Sequence, residues 1–269
     1  MQCITFERYI EGFHLLERYS EEYPFMLRHF LDVSEKKFPQ GFSLLDIGAG
    51  TGQFIAAILD KSRVPVWQYT AIEPSPDHVR NLEAAKEKFQ EKYPVAITIV
   101  PECFTPQTDP GKKFDIVLLS HSTYCFLPDP EPYLLHAISL ARPGGNVIIY
   151  NGTPTNFCTV LNLMHRDILP KNRITNPFFT SWQIRDILEK HSIPHAVTYL
   201  PGFLRAGEIF RPENGHLMNE LITFSLMVEA GSLEAVTRAR TAEFLRGMAY
   251  PSPDGPLLNL GVDAITVET

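Results

Sequence analysis

Ser43-Leu44-Leu45-Asp46-Ile47-Gly48-Ala49-Gly50-Thr51-Gly52-Gln53-Phe54-Ile55-Ala56-Ala57-Ile58-Leu59 is the stretch that decides the fold. A short apolar run closes on a glycine-rich turn, and a second apolar segment at helical spacing follows: strand, turn, helix. Downstream the pattern repeats. A second strand, Val66 to Ile72, ends at Glu73-Pro74-Ser75, and a helix runs from Asp77 to Tyr93. Strands follow at Ala96 to Val100 and Asp115 to Leu119, then a helix from Pro132 to Ala141. Arg142-Pro143-Gly144-Gly145 reads as a turn into a fifth strand, Asn146 to Tyr150. Strands alternating with helices at this spacing predict βαβ units, a mainly parallel sheet with helices on both faces, and right-handed crossovers.

Upstream, Phe6, Tyr9, Ile10, Phe13, Leu16 and Tyr19 recur at helical spacing, and Ser20 followed by Glu21 and Glu22 predicts the capped start of a second helix. Beyond Tyr150, a helix opens at Thr180-Ser181, a sixth strand runs from His195 to Leu200, and a last strand from Val262 to Val267. About 60 residues between those two strands exceed any hairpin. They read as a helical insertion over the binding face. The expected organisation is a helical cap over residues 1–40, a ligand-binding core over 41–200, and the insertion with its closing strand over 201–269, all in one integrated domain.

Composition narrows the partners. The chain has 269 residues, 44% of them hydrophobic and 20% charged, and a formal net charge of -7. An acidic balance without a basic run speaks against a phosphate backbone as partner. No apolar run approaches the roughly 20 residues that span a bilayer. Cys3, Cys103, Cys125 and Cys158 are scattered, with no CxxC pair and no signal peptide, so reduced thiols in a cytoplasmic protein are expected. The histidines show no metal-ligand spacing, so no metal is expected. A monomer is the favoured assembly.

The turn at Gly48, Gly50 and Gly52 sits where ligands of open α/β sheets bind, and a Cβ-free backbone permits close approach. Glu73, at the end of strand two, stands where an acidic side chain accepts hydrogen bonds from ribose hydroxyls. The glycines fall G-x-G-x-G, with Gln53 next, instead of the G-x-G-x-x-G of dinucleotide sites. Asp46, two places ahead of the first glycine, would repel a pyrophosphate and suits a ligand with a cationic amine. S-adenosylmethionine fits that description better than NAD. The plain alternative is that the glycines only make a tight turn.

Leu44 to Gly52 resembles motif I of the class I S-adenosylmethionine-dependent methyltransferases, Phe114 to Ser120 their strand-four motif, and Arg142 to Gly145 the turn before their strand five. The resemblance covers residues 40–150 and implies a Rossmann-like seven-stranded fold. Scattered matches along the chain are similar to the histamine N-methyltransferases: Tyr9-Ile10-Glu11-Gly12-Phe13, Ser20-Glu21-Glu22-Tyr23, Glu73-Pro74-Ser75, Thr180-Ser181 and the last strand. For the cofactor it implies Asp46, Gly48, Ala49, Gly50 and Gly52 along the methionine and ribose, and Glu73 on the ribose hydroxyls. The resemblance also implies that Pro74, Ser75 and His78 would lie nearby, Phe104 and Thr105 beside the adenine, and Ser120 near the reacting end. For the acceptor it implies Glu22 as the amine-binding carboxylate, with Tyr9, Phe13 and Tyr124 as aromatic pocket positions and Asn259 at the last strand. There are departures: His121 replaces a pocket glutamine, Cys125 a second tyrosine, Asn156-Phe157 a tryptophan-bearing stretch, and Leu260 falls where an asparagine is expected. The retained Glu22 favours an amine; the exchanged positions set the pocket apart from one for histamine.

The expected activity is methyl transfer to an amine or heterocyclic nitrogen of a small molecule, with Glu22 and His121 orienting the acceptor and His121 or water receiving the proton. Bland readings stand beside these. Glu22 fits the first turn of a helix, His121 a strand end, and Tyr9 and Phe13, at i and i+4, a core stripe. The other functions weighed are a natural-product O-methyltransferase, a non-catalytic S-adenosylmethionine-binding protein and a nicotinamide oxidoreductase. A nucleic-acid methyltransferase is disfavoured because Ser120-His121-Ser122 stands where Asn/Asp-Pro-Pro-aromatic would follow strand four.

Overall fold

The computed structural model describes residues 1–269. Seven strands form one sheet in the order β3-β2-β1-β4-β5-β9-β6. They are β1 (Phe42–Ile47), β2 (Val66–Ile72), β3 (Ala96–Val100), β4 (Phe114–Ser120), β5 (Ala141–Gly152), β6 (His195–Leu200) and β9 (Val262–Glu268). The pairings β1 with β2, β1 with β4, β2 with β3 and β4 with β5 are all parallel. The mainly parallel α/β sheet is what the alternation predicts. Parallel central strands are buried on both faces. Leu44, Leu45, Ile116, Val117, Leu118, Leu119, Val147, Ile148 and Ile149 are accordingly without solvent exposure.

Three helices follow the strands that matter for the site: α3 (Gln53–Lys61), α4 (Pro76–Lys92) and α5 (Pro130–Ser139). Local chemistry sets their starts. Ser75 caps α4 by accepting from the His78 amide, with Pro76 at the first position, and Asp129 caps α5 by accepting from the Glu131 amide. The Arg142-Pro143-Gly144-Gly145 segment is not a turn ahead of β5 but part of it. Phe114 pairs with Ala141 and Ile116 with Asn146, so the extra residues are absorbed as an irregularity. Gly144 takes a φ of 78° there.

The N-terminal region corrects a second expectation. Helix α1 (Phe6–Tyr19) ends at Ser20, whose amide donates to the Leu16 carbonyl, and α2 (Tyr23–Lys37) opens with no acidic residue in its first turn. Ser20 therefore closes α1 instead of capping α2. Glu22 lies between the helices, outside the helix whose first turn it was expected to join.

The chain divides into two units. One holds residues 23–151, 183–199 and 263–269, with the sheet strands, α2 to α5, and most of α7 (Ser181–Lys190). The other holds residues 1–22, 152–182 and 200–262. It contains α1, α6 (Phe157–Met164), α8 (Gly215–Leu226), α9 (Ala235–Met248) and a two-stranded antiparallel ribbon of β7 (Phe203–Arg205) with β8 (Leu257–Asn259). The division cuts the chain after residues 22, 151, 182, 199 and 262. Helix α1 packs on α8, whereas α2 packs on α3, so two helices adjacent in sequence serve different cores. The second unit has its own apolar centre, including Leu16, Phe157, Leu161, Leu204, Leu221, Ile222, Leu245 and Leu258.

Candidate active site

In the sheet unit the ends of β1 and β2 are stitched together by the turn between β1 and α3. The Gly48 and Ala49 amides both donate to the Ile72 carbonyl, at 2.8 and 3.3 Å. Gly48 and Gly52 adopt φ of 79° and 81°, the left-handed region that glycine enters without strain. Each also faces a close neighbour: a Cβ on Gly48 would lie 2.6 Å from the Ser122 Cβ, and one on Gly52 2.6 Å from the Leu82 Cδ2. At Gly50 nothing lies within 4 Å of a Cβ position, so the middle of the turn is open to an approaching ligand. We expect Gly48→Ala to cost about 2 kcal/mol through backbone strain and overpacking against Ser122. A melting temperature within a degree of the parent would contradict that geometry.

Glu73 is the keystone of the turn. Its side chain is buried; Oε2 accepts from the Gly50 amide (2.8 Å) and Oε1 from the Ser75 amide (2.9 Å). His78 Nδ1 lies 3.4 Å from Oε1. Ser75 and His78, expected beside the cofactor, thus brace Glu73 from the cap and first turn of α4, with Pro74 between Glu73 and Ser75.

Asp46 is buried at the end of β1. Tyr69 donates to its Oδ2 at 3.0 Å, while Oδ1 has no hydrogen-bond partner. Burial pushes its carboxyl up to about 7; the Tyr69 hydrogen bond opposes the rise and the Glu73 charge adds to it. Sequence reading missed Tyr69. It lies in β2 at the register partner of Leu44, two residues before the partner of Asp46, a placement that spacing along one strand does not give.

Two loops complete this side. After β4, Ser120 pairs in register with Tyr150, and His121 turns the chain at φ 52° with its amide donating to the Tyr150 carbonyl (3.0 Å). Its ring stacks on Tyr124, with centroids 6.2 Å apart and planes 11° from parallel. Ser122 is thereby set against Gly48. A non-glycine residue in the left-handed region at the end of a central strand is the kind of strain that gathers at functional sites. After β3, Phe104 is buried against Phe126 and Thr105 opens a tight turn, its amide donating to Thr108 Oγ1 (2.9 Å). Cys125 stands in place of the expected tyrosine; desolvation raises its thiol above the ordinary range, and the Glu73 charge adds to the rise.

The remaining expected residues, Tyr9, Phe13, Glu22 and Asn259, belong to the second unit. Tyr9 stacks on Phe224 (5.1 Å, 18°) and Phe13 lies at 6.3 Å from the same ring, so both are half-buried on that unit's core. Glu22 is 6% exposed, and a Cβ on Gly202 would come within 3.0 Å of its own Cβ. Burial pushes the Cys158 thiol up to about 12, with the Glu22 charge contributing. Asn259 is committed at both ends of its amide: Nδ2 donates to the Thr155 carbonyl (3.0 Å) and Oδ1 accepts from the Gly261 amide (2.9 Å). That bonding gives it a structural part in shaping the approach to β9. Leu260, the other candidate for that position, is buried.

Residues 45–147 match the family described as a methyltransferase domain. The methyltransferase-domain stretch begins inside β1 and ends inside β5, and it contains the glycine turn, Asp46, Tyr69, Glu73, Ser75 and His78. An N-methyltransferase from Cladobotryum sp., FrzE, is 24% identical over 218 residues, covering 76% of this chain and 68% of its own. Among solved structures, a protein assigned as a methyltransferase from Bacillus halodurans C-125 superimposes with a TM-score of 0.57 at 13% identity, covering 90% of this chain and 97% of that one. The YcgJ protein of Bacillus subtilis gives 0.55 at 14%, covering 90% and 98%. At such identities these structures speak for the fold alone. No helix is long and apolar enough to cross a membrane.

Proposed function

We propose that this protein transfers a methyl group from S-adenosylmethionine to an amine or heterocyclic nitrogen of a small molecule. The observation that carries the reading is the pairing of Glu73 with the open turn at Gly50 inside the methyltransferase-domain stretch. The donor set fits the cofactor. Glu73 is fixed by two backbone amides and keeps lone pairs for ribose hydroxyls, and the unpartnered Asp46 Oδ1 marks a place where positive charge is wanted. Phe104 and Thr105 are assigned to the adenine and Ser120 to the reacting end. The similarity to an N-methyltransferase supports nitrogen as the acceptor atom.

When bound, the cofactor supplies an electrophilic methyl group for in-line displacement. The chain's own part is alignment, exclusion of water and removal of a proton, because a protonated amine has no lone pair to attack with. His121 is assigned the proton. Neutral imidazole accepts one near physiological pH, and the left-handed backbone fixes where this ring stands. Glu22 and the rings of Tyr9, Phe13 and Tyr124 are assigned to the acceptor, on the resemblance given above.

The test is methyl transfer from S-adenosylmethionine to a panel of amines, imidazoles and phenols, run with two His121 variants. His121→Asn tolerates the left-handed backbone but lacks a base, and His121→Ala removes the ring outright. Both are expected to lower kcat about 100-fold while binding S-adenosylhomocysteine as the parent does. Loss of cofactor binding in the Asn variant would remove His121 from the proton's path. Methylation of phenols alone would move the acceptor to oxygen.

A further inference from the structure

We propose that His136 is a positioning residue for the adenine end of the cofactor site, acting through Phe104 and the 104–108 turn. The inference rests on the cofactor reading above. His136 lies near the end of α5, on neither the glycine turn nor the loops assigned to the cofactor. Its ring stacks on Phe104, centroids 5.5 Å apart and planes 20° from parallel. Its Nε2 stands 2.7 Å from the Thr108 carbonyl. A carbonyl only accepts, so Nε2 carries the hydrogen. The same turn is closed on itself: the Thr105 amide donates to Thr108 Oγ1 (2.9 Å), and the Thr108 amide donates to the Thr105 carbonyl (3.0 Å). One imidazole therefore backs the Phe104 ring and tethers the far end of the turn that Phe104 enters.

The arrangement reaches further along α5. Tyr133, one turn before His136, stacks on Phe126 (5.1 Å) and donates to the Leu127 carbonyl (3.2 Å); Phe126 in turn meets Phe104 at 5.8 Å. Two residues at i and i+3 on one helix thus fix both loops, the one after β3 and the one after β4. Phe104 sits between them with its side chain 8% exposed, so its ring plane is set from behind by side chains that need not touch a ligand. Because His136 contributes both a stacking face and a donor, the two contributions can be removed separately.

His136→Phe keeps the ring and loses the donor, His136→Gln keeps an N–H and loses the ring, and His136→Ala loses both. Calorimetric titration with S-adenosylhomocysteine and with 5′-methylthioadenosine reads the adenine end, since the second ligand lacks the amino-acid half. His136→Ala is expected to weaken both ligands by the same factor, about tenfold, with each of the other variants recovering part of the loss. In turnover assays the KM for S-adenosylmethionine should rise by that factor while kcat stays within about twofold, a split that general loosening of the fold would not produce. Parent-like affinity in all three variants overturns the proposal, as does a loss seen with S-adenosylhomocysteine but not with methylthioadenosine. Failure of the parent protein to bind either ligand would instead sink the cofactor reading itself.

Discussion

Replacing Glu73 by Ala is expected to weaken S-adenosylhomocysteine binding on the order of 1000-fold, measured by calorimetry on protein shown to be folded by circular dichroism. The size follows from what one carboxylate holds. It accepts from the Gly50 and Ser75 amides and is 4% exposed, so truncation leaves the buried Ser75 amide without its acceptor, at about 1–3 kcal/mol, and frees the part-buried Gly50 amide. It also removes the carboxylate proposed to accept from the ribose hydroxyls. Since the Gly50 amide lies in the turn proposed to face the cofactor, that turn loses its anchor in the same step. Glu73→Gln separates the two losses. An amide oxygen can replace one acceptor, but its NH2 must face the other backbone donor, so the variant should fold and still bind at least tenfold more weakly. Parent-like affinity in Glu73→Ala would remove the glycine turn from consideration as a cofactor site.

The second large effect is on stability. Asp46 has its carboxyl raised from 3.8 to about 7 by burial. Between those values the folded protein holds a proton that the unfolded chain has released, so stability falls as pH rises from about 4 to 7 and levels off above. At 1.36 kcal/mol per tenfold change in proton affinity, this one group costs roughly 4 kcal/mol above pH 7. Asp46→Asn should flatten that part of the profile and raise the melting temperature at pH 8. Its affinity for S-adenosylmethionine should nevertheless drop, because the positive charge of the cofactor loses its counter-charge. In the parent, binding at pH 6 should release a fraction of a proton, visible as a dependence of the calorimetric enthalpy on buffer. A stability profile unchanged by Asp46→Asn would show that the carboxylate is solvated in the folded state.

Both residues were legible in the sequence because each stands at or next to the end of a strand, where a buried apolar pattern is interrupted by one acid. The alternation of strands and helices was legible for a related reason: period and punctuation recur between residues 42 and 150. Legibility failed where structure depends on contacts distant in sequence. Ser20 carries the signature of a helix start, yet it ends α1, because the segment after it pairs with β7: the Glu21 amide donates to the Phe203 carbonyl. The ribbon of β7 and β8 was missed since each strand has three residues, too few for a period. Tyr69 looked like one more aromatic residue in a strand until the register placed it beside Asp46. Asn259 was read as a ligand-facing amide, but its partners Thr155 and Gly261 could not be foreseen from spacing.

The position of β9 within the sheet has a consequence for how the protein is made. Strand order places β9 between β5 and β6, although more than a hundred residues separate it in sequence from β5. During synthesis, therefore, β6 emerges before the strand that joins it to the rest of the sheet. Until translation has passed residue 262, the sheet is open at an interior position, and β6 has no neighbour to pair with. Domains that fold from the N-terminus can normally secure early segments as they appear. Here the nascent chain must carry an unfilled slot flanked by exposed strand edges through the whole of α8 and α9. Messages truncated anywhere upstream of β9 would yield chains prone to edge-to-edge association, not shortened enzymes.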